Sequence, residues 1–174
     1  FDMYIWKSVC KTLAAWQDKG CKLVPISINV SMIDITNIDV PQYLSMLTEQ
    51  YHISPEYLPV EITESVFAES NTIVKNTITR FHKKGFYVLM DDFGSGYSSL
   101  NVLKDANVDY LKLDMKFMQI DAKNKGKGIQ ILKSIVDMAY RLGLVIIAEG
   151  VETKEQSEIL KSMNCRSEER RVGK

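Results

Sequence analysis

Cysteine, proline and glycine are all scarce in this chain: three, four and nine in 174 residues. The cysteines, Cys10, Cys21 and Cys165, are odd in number and lack C-x-x-C spacing. That argues against a disulfide framework or a structural zinc and suits small thiols in a reducing compartment. So few glycines and prolines, beside 45% hydrophobic and 25% charged residues, belong to a folded globular chain of one domain. No apolar run reaches the roughly 18 residues that a membrane span needs, and no signal segment opens the chain, so a cytoplasmic domain is expected. Nor is there any charge excess, because 22 basic residues balance 22 acidic ones. DNA and RNA are therefore not expected partners, and an anionic substrate must be held by a local site.

Five short apolar runs alternate with amphipathic stretches. Helices are expected over Phe1–Asp18, Val40–Gln50, Ser65–Lys84, 128–141 and from Thr153 to about Met163, with a short helix or turn over Tyr97–Lys104. In the first, Ile5, Val9 and Leu13 mark the buried stripe. In the third, Val66, Ile73, Thr77, Ile78 and Phe81 do so. Strands are expected over Cys21–Val30, Leu58–Thr63, Phe86–Met90, Val108–Leu113 and Leu144–Ala148. Pro25 argues against a central place for the first, since it cannot donate to a ladder. Thr153 and Gln156 form a capping-box pattern. This α/β order leaves a doubly wound sheet and a (β/α)₈ barrel both open. Phe1 falls inside an element, so residues upstream are expected.

The chemistry gathers at the ends of these strands. Asp91-Asp92-Phe93-Gly94-Ser95-Gly96 puts two adjacent carboxylates after a buried strand, where they repel and are costly to desolvate. A divalent cation is the simplest compensation; a solvated turn is the plainer reading. Glu61, between Val60 and Ile62, points inward and needs a cation or a donor. Glu64 starts the following loop and could hold a neighbouring one through backbone N–H groups. Asn29 is a neutral oxygen ligand or a satisfied core amide. Lys112, between Leu111 and Leu113, either pairs with Asp114 or steadies a water or a departing oxygen. Glu149 follows the fifth strand and is itself followed by glycine. His52 and His82 have no partner motif and read as surface or helix-end residues.

The segments SINVS (27–31), EITES (61–65), DDFGSGYSSL (91–100), YLKLD (110–114) and AEGVET (148–153) resemble, in order and spacing, the EAL-type cyclic di-GMP phosphodiesterases. The resemblance extends over about residues 1–165. It implies an incomplete (β/α)₈ TIM-like barrel with about five parallel strands present, and hydrolysis of cyclic di-GMP to linear pGpG with Mg²⁺ or Mn²⁺, as two ions. Asn29, Glu61, Asp91, Asp92 and Glu149 would be metal ligands. Lys112, Glu149 and Asp92 would be catalytic, with Lys112 at the attacking water and Glu149 as base. Glu64 would pin the DDFGSG loop and Glu152 would support the site.

The resemblance also implies a metal-ligand glutamate upstream of Phe1 and a last strand with a glutamine beyond Cys165. Lacking these, the 174 residues alone are expected to be inactive. A homodimer through this domain, and a sensory or regulatory domain in a longer protein that could be membrane-anchored, are further implications. The alternative is a degenerate relative that binds cyclic di-GMP or a protein partner without hydrolysis. Residues 166–174, RSEERRVGK, have one apolar side chain and read as a tail or scar outside the domain.

Overall fold

The computed structural model describes residues 1–69, 72–94, 102–104, 106–114, 125–163, 165 and 167–169. Helix α1 (Asp2–Asp18) precedes β1 (Ile28–Asn29), α2 (Met32–Asn37) and α3 (Val40–Gln50). A 3₁₀ turn over Pro55–Tyr57 leads to β2 (Val60–Thr63), α4 (Glu64–Ala68), α5 (Thr72–Lys83), β3 (Val88–Phe93) and β4 (Tyr110–Asp114). Then come α6 (Lys125–Arg141), β5 (Val145–Glu149), α7 (Lys154–Ser162) and β6 (Ser167–Glu169).

The six strands among the described residues are parallel and lie in chain order, β1-β2-β3-β4-β5-β6. A doubly wound sheet reverses its order at a switch point. Here every crossover steps the same way, which is the progression of a (β/α) barrel and puts the connecting helices on one face. Val60, Ile62, Val88, Met90, Leu111, Leu113, Ile146 and Ala148 are buried in the main core, together with Trp6, Leu44, Phe81, Leu132 and Leu160 from the helices. By the two-residue period of strands, Glu61, Leu89, Lys112 and Glu149 share the opposite face.

Several elements differ from expectation. The first strand shrinks from ten residues to Ile28–Asn29, although Ile26 and Val30 also donate to the β2 side. Pro25 has no N–H to donate and so interrupts the ladder on its own side. The expected helix over Ser65–Lys84 is two helices, α4 and α5. In α5 the buried positions are Val74, Thr77, Ile78 and Phe81, while Ile73 is exposed. The stripe of α1 is likewise rotated to Trp6, Cys10 and Leu13. Of the expected helix or turn over Tyr97–Lys104, only 102–104 fall within the described residues, and they are helical.

Helix α2 was not expected. Ser31 caps it by accepting from the Asp34 N–H, while Asp34 Oδ2 accepts from the Ser31 N–H at 2.9 Å, a reciprocal box that S-x-x-D encodes. The box at Thr153 and Gln156 is present as read. Ser167–Glu169, within the charged run read as a tail, pair with Ile147–Glu149 as the sixth strand. Backbone pairing requires no apolar side chain, so hydropathy gave no sign of it.

Candidate active site

One ammonium gathers the acids of three strands. Lys112 Nζ, on β4, lies 3.1 Å from Glu61 Oε1 of β2, 3.5 Å from Asp91 Oδ1 of β3 and 3.5 Å from Glu149 Oε2 of β5. Lys112 and Glu61 are buried, at 5% and 6% exposure. Burial alone would pull the ammonium's pKa down; Glu61, Asp91 and Glu149 outweigh it and hold Lys112 above its ordinary value. Strands β2 and β5 are three positions apart, roughly 14 Å in a flat sheet. Long side chains on a concave face close that distance.

A kink in β3 presents the two aspartates. Met90 pairs with Leu111 and Phe93 with Leu113, so three steps on β3 match two on β4. The extra residue is a β-bulge, which bends the strand and redirects side chains at a sheet end. Asp92 takes it up with φ +56°, a left-handed conformation that aspartate tolerates better than most residues. Its N–H donates to Asp91 Oδ1 at 2.9 Å. Burial, then the charges of Asp91, Glu149 and Asp114, push the Asp92 carboxyl above its usual range, and Lys112 only partly offsets them.

Glu64 begins α4 and is 3% exposed. Its Oε2 accepts from the Gly94 N–H at 2.8 Å, tying α4 to the residue that follows the bulge. Gly94 has φ +95°, which only glycine adopts without strain. Asn29 pairs in register with Glu61, and its side chain is exposed. Glu152 is exposed; its N–H donates to Gln156 Oε1, and nothing among the described residues joins its carboxylate to the Lys112 group. Below the acids, the concave face borders an open hollow of about 400 Å³ lined by Tyr57, Tyr87, Leu89, Tyr110 and Ile147, among others.

Three features escaped sequence reasoning: the bulge, the hold of Trp6 on Asn29, and the role of His82. Trp6 Nε1 donates to the Asn29 carbonyl at 3.0 Å. His82, at the end of α5, is half-buried and bonds Asp109 Oδ2 at 3.0 Å, where β3 and β4 begin. Asp109 Oδ2 also accepts from the Val88 N–H at the start of β3. No spacing rule signals contacts that join separate elements.

The oxygen-only donors fit a hard divalent cation in kind. Among the described residues, three carboxylates gather on the Lys112 ammonium, a density of acid that such a cation would offset. Among the described residues, no three His, Cys, Asp or Glu side chains stand close enough to one point to hold a metal ion by themselves.

A family model described as the EAL domain matches residues 1–167. The chain belongs to the EAL domain family. It is similar to the signaling protein YkoW of Bacillus subtilis, 33% identical over 162 residues, covering 93% of this chain and 20% of YkoW. It is 37% identical over 137 residues to a protein of Escherichia coli named as the probable cyclic di-GMP phosphodiesterase PdeB, covering 78% of this chain and 25% of PdeB. The chain thus spans about a fifth to a quarter of these relatives. The crystal structure of the EAL domain of Mycobacterium smegmatis DcpA superposes with a TM-score of 0.87 at 27% identity, covering 97% of this chain and 75% of that one. No helix among the described residues is long and apolar enough to cross a membrane.

Proposed function

We propose that this EAL domain, within its full-length protein, hydrolyses cyclic di-GMP to linear pGpG with Mg²⁺ or Mn²⁺. The observation that carries the reading is the meeting of Glu61, Asp91 and Glu149 on Lys112 at one end of a barrel-ordered sheet. The relation to PdeB, named as a probable cyclic di-GMP phosphodiesterase, supports the choice of substrate. Asn29, Glu61, Asp91, Asp92 and Glu149 would hold the metal, which when bound supplies positive charge for the phosphate and lowers the pKa of water.

The chain's own groups do the rest. Lys112, kept charged by its carboxylates, sits where it can orient the attacking water and offset charge building on the phosphate oxygens. Glu149 is the one strand-end acid of β5 and takes the proton from that water. Attack in line with the 3′-oxygen breaks one phosphodiester bond and leaves a 5′-phosphate on the product. Glu64 fixes Gly94, and with it the exit of the strand that carries Asp91 and Asp92.

The test is a hydrolysis assay of the full-length protein with cyclic di-GMP and Mg²⁺ or Mn²⁺, with pGpG quantified by chromatography. Metal-dependent appearance of pGpG is expected. Tight binding of cyclic di-GMP with no turnover would replace this reading with that of a binding module.

A further inference from the structure

Asn29 is held from an unexpected direction. It ends a strand of two residues that, among the described residues, pairs with β2. Ile28 N–H donates to the Pro59 carbonyl and Val30 N–H to the Glu61 carbonyl, each at 2.9 Å. In a parallel ladder the residue between these two turns its own N–H and C=O away from that neighbour. The carbonyl of Asn29 therefore faces away from β2, and there it accepts the indole N–H of Trp6 at 3.0 Å.

Trp6 is 1% exposed and cannot swing aside. Its ring sits on α1 and packs against Tyr43 of α3, with centroids 6.0 Å apart at 52°. On the other side of Asn29, the Ser31–Asp34 box locks the start of α2. The Asn29 peptide is thus gripped between an indole fixed by two helices and a capped helix start, while its carboxamide stays exposed at the rim of the acid cluster. Any large apolar side chain would fill the space of Trp6. The N–H does something packing does not require, because indole is a donor with no other polar function.

We propose that Trp6 is a positioning residue for the metal ligand Asn29, acting through the Asn29 carbonyl to set the carboxamide against Glu61. This rests on the reading that Asn29 is a ligand. Groups that orient ligands from behind typically contribute about tenfold or more to metal affinity.

The experiment uses the full-length protein, its Trp6→Phe variant, which keeps a ring and removes the donor, and Leu13→Val, a loss of core volume on the same helix. Mn²⁺ affinity is read by electron paramagnetic resonance, and exchange of the Val30 amide, which reports opening of β1, by NMR. Trp6→Phe is expected to weaken Mn²⁺ binding by about tenfold and to speed Val30 exchange, with Leu13→Val changing neither at a matched loss of thermal stability. Equal effects of the two variants, or Mn²⁺ affinity within about twofold of the parent in Trp6→Phe, overturn the proposal. A third measurement needs no variant: saturating Mg²⁺ should slow exchange of the Trp6 indole N–H, because coupling between the two sites is reciprocal. Unchanged exchange also overturns it. Turnover of cyclic di-GMP is assayed separately. Its absence in a protein that binds Mn²⁺ sinks the proposed reaction but not the role of Trp6.

Discussion

Glu61 and Lys112 form an ion pair of 3.1 Å across an intervening strand: Glu61 stands on β2, Lys112 on β4, and β3 runs between them. Both are nearly fully buried. Side chains reaching over a strand in this way need a concave sheet, and the inward face of a curled parallel sheet supplies one. Among the described residues, Glu61, Asp91 and Glu149 share the Lys112 ammonium.

Replacing Lys112 by Met should therefore destabilise the metal-free protein by about 3–5 kcal/mol, the usual cost of leaving buried charges uncompensated. Added Mg²⁺ should restore part of the loss, since it supplies the missing positive charge. Urea denaturation with and without Mg²⁺ measures both. A loss that Mg²⁺ leaves untouched would argue against a cation site among these acids.

Asp91→Asn should lower turnover of cyclic di-GMP in the full-length protein by about 10²-fold or more while the far-ultraviolet dichroism stays unchanged. The amide keeps the shape and loses the charge. Steady-state kinetics at saturating Mg²⁺ decide the matter, and near-parental turnover removes Asp91 from its role.

Glu64→Ala should free the Gly94 N–H, which now donates to Glu64 Oε2 at 2.8 Å. Leaving that amide without its partner costs about 1–3 kcal/mol and should speed its hydrogen exchange. Glu64→Gln retains an acceptor oxygen and should keep most of the protection. NMR exchange rates at Gly94 in the two variants provide the comparison. Equal protection in all three proteins would show that the loop is held by something else.

The Asp39–Arg80 pair makes a pH prediction remote from the acids. The Arg80 guanidinium, hydrogen-bonded to Asp39, holds that carboxyl below its ordinary value of 3.8. A lowered folded-state pKa stabilises above the unfolded value and stops doing so as pH falls through the folded one. Both side chains are about half exposed, at 45% and 52%, so the effect is small. Arg80→Gln should melt a degree or two lower than the parent at about pH 6, and the two should converge near about pH 2. A constant gap across that range would mean that Arg80 acts through packing instead.

The chain by itself determined the kinds of element and the chemistry they carry. Apolar runs such as Phe86–Met90, short and bounded by turn residues, point to buried strands, and acids placed directly after them fall where strands end. That is why Glu61, Asp91, Lys112 and Glu149 could be singled out by their places in the strands, though the roles expected of them came from the resemblance, and why Thr153 and Gln156 could be assigned to a cap. Local rules set these features, and local rules are written in neighbouring residues.

Tertiary structure decided the rest. Whether the sheet runs in chain order or reverses depends on how helices pack after the strands have formed, so the period of the strands could not choose between two α/β architectures. The bulge at Asp91 and Asp92 exists because β3 must match β4, a strand some twenty residues later. The buried stripe of α1 turned toward Trp6, Cys10 and Leu13, because burying the large indole against α3 and the sheet outweighs burying Ile5, and the indole N–H then meets the Asn29 carbonyl. Pairings of this sort cost entropy locally and are repaid only by distant partners. No window of sequence contains both sides of them.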